Sequence, residues 1–82
     1  MAQIIWTEPA LDNLNDIAEY IAVSNPYAAK QLVENVFGKI QRLEQFPDSG
    51  RVPEEISNLN YREVVVNPCR VFYKVDRDSV YI

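Results

Sequence analysis

The chain reads as a single α+β domain: an N-terminal strand, an antiparallel helical hairpin, then a mainly antiparallel β-meander, in the order β-α-α-β-β-β. Three observations predict this. Two stretches, 9–24 and 26–45, carry apolar residues at helical spacing and are parted only by a break around Ser24 and Asn25. Two β-rich runs, 61–66 and 70–75, follow and are joined by Asn67, Pro68 and Cys69. The length, 82 residues, leaves room for one core over 1–82 and for no second domain.

Residues 3–6 are a short apolar, β-prone run stopped by Thr7 and Pro9. Thr7 is a suitable N-cap: Glu8 and Pro9 fit a first helical turn, and the acid favours the positive end of the helix dipole. Leu11, Leu14, Ile17, Ala18 and Ile21 then form an apolar stripe that should face the core. The helix should stop before Pro26, because the residue preceding a proline is pushed out of helical geometry. Asn25 can cap the next helix, with Pro26 at its first position.

The second helix repeats the stripe with Leu32, Val33, Val36, Phe37, Ile40 and Leu43. So short a break forces the two helices to fold back on each other. Gly38, costing roughly 1 kcal/mol relative to alanine, marks either a close approach or an exposed face. Phe46 and Pro47 end the helix, and Asp48, Ser49 and Gly50 make a turn. A short linker, 56–60, leads to the β-rich runs. Another turn at 76–79 precedes a last strand, 80–82, which reads as cut short; an exposed apolar strand end favours association.

Composition narrows the function classes. The formal charge is −4, which argues against a free-standing nucleic-acid binder, since phosphate contacts need clustered Lys and Arg. The excess is local: residues 1–29 hold Glu8, Asp12, Asp16 and Glu19 and no base, while the remainder has eight acids and eight bases. One cysteine, Cys69, makes no internal disulfide, fits a reducing cytoplasm and, with no histidine in the chain, has no evident activating base. No signal peptide and no apolar stretch of membrane-spanning length are evident, so a cytoplasmic protein is expected.

Three segments read together carry a resemblance: IIWTEPALDNLNDIAEYI, then FPDSGRVPEE, then YREVVVNPCRVFYKV. In this order the chain resembles the ParE branch of the RelE/ParE toxin superfamily, with a shortened C-terminus. The resemblance implies a RelE/ParE-like fold and the toxin half of a type II toxin–antitoxin module. It also implies a cognate, ParD-like antitoxin partner in a hetero-oligomer, inhibition of DNA gyrase by binding, and no cofactor. For RelE members it implies cutting of mRNA on the ribosome, the alternative activity.

Chemistry separates the two branches. Cutting RNA needs the 2′-hydroxyl deprotonated, the leaving oxygen protonated and the phosphate charge neutralised. Arg70 occupies the place of one RelE-type arginine, but Tyr61 and Glu63 stand where RelE-like sequences offer lysines, and a carboxylate there repels phosphate. No catalytic residue is therefore expected, and a non-enzymatic toxin is the first reading. A truncated, attenuated member that only binds antitoxin is a further alternative.

The candidates for target or antitoxin contact are Tyr61, Arg62, Arg70, Tyr73 and Lys74, since tyrosine and arginine recur at interface hot spots. Strand alternation places Arg70, Phe72 and Lys74 on one face, and Val71, Tyr73 and Val75 on the other. Arg51 should anchor its loop by pairing with a helix C-terminus or a carboxylate. Asp12, Asp16 and Glu19 share one helix face and read as solvated acids, not a metal site. Trp6, Tyr20, Tyr27, Phe37 and Phe46 read as core or hairpin packing.

Overall fold

A computed structural model describes residues 1–56 and 58–82. The element order is strand β1 (Gln3–Ile5), helix α1 (Glu8–Ser24), helix α2 (Pro26–Gln41), then strands β2 (Arg62–Val66), β3 (Cys69–Asp76) and β4 (Ser79–Tyr81). Among the described residues these strands form one mixed sheet in the order β1-β4-β3-β2. The meander β2-β3-β4 is antiparallel, and β1 closes the sheet parallel to β4, with Ile4 opposite Val80. The fold is therefore α+β, as the pattern of stripes and breaks predicts.

The helix ends follow from local chemistry. Thr7 Oγ1 accepts from the Ala10 amide at 3.4 Å and donates to the Ile82 carbonyl at 2.7 Å, so the cap also ties α1 to the end of the sheet. Asn25 serves both helices: its amide donates to the Ile21 carbonyl at 2.9 Å, and its side chain accepts from the Ala28 amide at 3.0 Å. α2 is shorter than its apolar stripe, because the chain tightens into a single 3₁₀ turn, Arg42–Glu44. That tightening still delivers Leu43 into the core. Gly38 has open space where a side chain would stand, so it lies on an exposed face.

The core lies between α2 and the sheet. Leu32, Val36 and Ile40 of α2 meet Leu43, Val66, Tyr73, Val80 and Ile82, all buried. The α1 stripe meets the core only in part: Leu14 and Ile21 pack against it without being fully buried, while Leu11 and Ile17 are 42% and 38% exposed. Trp6 does pack, its ring lying 4.8 Å from that of Phe37. Tyr20 and Tyr27, by contrast, are 83% and 71% exposed beside the hairpin bend, and Phe46 is exposed too, so these aromatics are not packing residues. Among the described residues no helix is long and apolar enough to cross a membrane. The linker expected at 56–60 falls partly on residue 57, which lies outside the described residues.

Candidate partner-binding surface

Strand parity sets the surface. Cross-strand partners share a face, and Glu63 stands opposite Phe72, Val65 opposite Arg70, and Lys74 opposite Tyr81. Glu63, Val65, Arg70, Phe72, Lys74 and Tyr81 therefore occupy the face away from the core. Arg62 and Tyr73 are paired on the other side. The alternation read from 70–75 describes β3 correctly: Arg70, Phe72 and Lys74 are exposed, and Tyr73 is buried.

Burial removes Tyr73 from the contact candidates. It is 1% exposed; its hydroxyl donates to the Pro47 carbonyl at 2.8 Å and accepts from the Gly50 amide at 2.9 Å. Burial pushes the phenol pKa up. The residue is a rivet between sheet and loop. Gly50 is the matching requirement, since a Cβ there would stand 2.5 Å from the Tyr73 hydroxyl and 2.9 Å from the Glu63 carbonyl oxygen.

Glu63 is the centre of the charged network. Although 3% exposed, it has both carboxylate oxygens engaged: Arg51 Nε donates to Oε1 at 2.8 Å, and Arg70 Nε to Oε2 at 2.5 Å. Arg70 reaches on through Nη2 to Glu55, so Arg51, Glu63, Arg70 and Glu55 form an alternating chain of charge. The hydrogen bond from Arg70 is the main force holding the Glu63 and Glu55 carboxyls below the usual carboxylate range. Reciprocally, Glu63 and then Glu55 raise the pKa of the Arg70 guanidinium. The Arg70 guanidinium carbon also lies 5.1 Å from the centre of the Phe72 ring.

The other candidates differ in freedom. Arg62 Nη1 donates to the Gly50 carbonyl at 2.9 Å, and its Nε lies 3.9 Å from Asp48. Tyr61 and Lys74 are exposed, and among the described residues Lys74 has no ion pair. Between α1 and β3 lies an apolar groove of about 270 Å³, bounded by Trp6, Leu14, Ile17, Val71, Phe72 and Ile82. Thus Arg51, Arg70 and Glu63 converge, while Tyr61 and Lys74 stand apart.

Two features escaped sequence reasoning. Glu63 looked like an obstacle to phosphate, yet it is a buried hub. An acid inside an otherwise valine-rich strand, with arginines to spare on either side, was the available signal. The groove beside α1 had no signal, because a stripe does not say what lies over it.

The architecture is thus that of a small α+β domain with a helical hairpin on a mixed sheet, and it has close relatives. The family model described as ParE toxin of type II toxin-antitoxin system, parDE, matches residues 4–82, and the chain belongs to that family. Toxin RelE2 of Caulobacter vibrioides is 34% identical over 68 residues, spanning 83% of this chain and 73% of that protein. Y4kP of Sinorhizobium fredii, whose name places it among toxins, is 32% identical over 76 residues, spanning 93% of this chain and 78% of that one. A chain in the structure titled "Chromosomal ParDE TA system from P. aeruginosa" superposes with a TM-score of 0.81, over 100% of this chain and 90% of that one. At 21% identity this last likeness concerns the fold.

Proposed function

We propose that residues 1–82 act as one toxin domain that works by binding, with DNA gyrase as the target and a ParD-like antitoxin as the neutralising partner. The observation that carries the non-enzymatic part is the state of Arg70. A phosphate-stabilising arginine must offer its guanidinium to substrate, and here that group is engaged by Glu63 and Glu55. Tyr73 is spent in the same way, with its hydroxyl sealed between Pro47 and Gly50.

Partner contact falls to Tyr61, Arg62, Lys74 and the exposed rim of Arg70, while Arg51 and Tyr73 hold the loop beneath them. The antitoxin is assigned to the uncovered side of α1. Its half-exposed Leu11 and Ile17 and the adjoining groove suit an apolar segment that orders on binding. This reading requires the cytoplasm, where gyrase works.

A supercoiling assay with purified gyrase tests it. Supercoiling should fall as the chain is added and recover on addition of the antitoxin; undiminished supercoiling at saturating chain overturns gyrase as target. The relative named RelE2 keeps one competing activity in view. Codon-positioned mRNA cuts on translating ribosomes, abolished by Arg70→Ala, would establish the endonuclease in place of the binding toxin. Normal growth on induction without antitoxin would instead mark an attenuated member.

A further inference from the structure

β2 is an edge strand, and three successive valines, Val64, Val65 and Val66, make it the kind of edge that pairs with other chains. Its outward main-chain groups are those of Glu63 and Val65, since the β2–β3 hairpin closes on the Val66–Cys69 pair. Glu63 is covered at both groups and Val65 at its carbonyl. The Glu63 amide donates to the Arg51 carbonyl at 2.8 Å, the Arg51 amide donates to the Glu63 carbonyl at 3.0 Å, and Lys39 Nζ donates to the Val65 carbonyl at 3.2 Å.

The covering loop is fastened by the buried Pro53 side chain and by two sets of hydrogen bonds. Pro47 and Gly50 are held by hydrogen bonds from or to Tyr73 and Arg62, each made to a main-chain group and none to a carboxylate. Arg51 and Glu55 carry carboxylate bonds as well, Arg51 to Glu63 in addition to its main-chain pair with that residue, and Glu55 to Arg70. We propose that residues 51–55 are an acid-released guard over the outer edge of β2, hinged at Gly50, with the alternating charges of Arg51, Glu63, Arg70 and Glu55 as its fastening.

The charged surroundings support this direction. Glu63 faces Arg51 from the loop and Arg70 from β3, with Lys39 and Arg42 of the α2 end sharing its cleft. Glu55 lies beyond Arg70, and Arg62 with Asp48 lies on the opposite side of β2. Every charge touching Glu63 directly is positive. Its carboxyl is held below the ordinary range, and so is that of Glu55. The stabilisation is therefore complete above the unfolded carboxylate pKa, about 4.3, and is lost as the pH falls through the lower folded values.

Residue-resolved amide exchange on the whole chain, from neutral pH downward, tests the guard. Protection of the Arg51 and Glu63 amides should disappear at a higher pH than that of the Gly50, Val64 and Val66 amides. Simultaneous loss at all five positions, or retention at Arg51 and Glu63 until the chain unfolds, overturns the proposal. Arg51→Met supplies a second reading, because Arg51 is exposed and Glu63 keeps Arg70. Protection of the Glu63 amide at neutral pH should drop by about tenfold, the scale of one lost charge-assisted hydrogen bond, with Gly50 unchanged. An unchanged Glu63 amide in that variant also overturns it.

Discussion

The two helices are near-equal in length and carry similar apolar stripes, yet they occupy opposite situations. α2 buries Ala29, Leu32, Val36 and Ile40, whereas α1 buries nothing completely. The difference lies in what stands over each stripe. α2 rests on the sheet, facing Val66, Tyr73 and Val80. α1 rests mainly on α2, leaving Leu11 and Ile17 half open and all four of the chain's N-terminal acids in solvent. Amphipathic patterning makes a helix and orients it; the depth of burial is a tertiary property.

Substitution should reproduce this asymmetry. Ile40→Ala on α2 removes a side chain that is 1% exposed and should lower stability by about 3 kcal/mol, read as a shift in the urea midpoint. Under the same helix, Tyr73→Phe leaves the Gly50 amide and the Pro47 carbonyl without their partner; a loss of about 2 kcal/mol is expected by the same measurement. Asn25→Ala removes the side-chain cap of α2 while keeping the main-chain bond to Ile21, and should cost about 1 kcal/mol, with loss of helical circular dichroism. Ile17→Ala on α1 should change stability by only roughly 0.5 kcal/mol. An Ile17→Ala loss as large as that of Ile40→Ala would abolish the distinction between the helices.

Much of this layout was legible in the residues. Thr7 and Asn25 announced both helix starts, Pro26 fixed the break, and alternation along β3 sorted Arg70, Phe72 and Lys74 from Tyr73. These are local signals, each decided within a few residues. The failures were non-local. Tyr73 looked like a contact residue because a tyrosine in an alternating strand suits either face of a small domain, and only the path of the loop over Pro47 and Gly50 decides its role. Glu63 meets Arg51 from twelve residues away and Arg70 from seven, an encounter that requires the turn at Gly50. Tyr20 and Tyr27 flank a bend that leaves both largely exposed among the described residues, so their size suggested packing that the fold does not supply.

The single residue between the helices has a mechanical consequence. Asn25 finishes one helix and begins the other with no spare residue between them, so α1 is coupled to its neighbour like the arm of a lever with a stiff elbow. A load applied along the open flank of α1 is passed directly to α2, and through Ile40 and Val36 to the strands beneath.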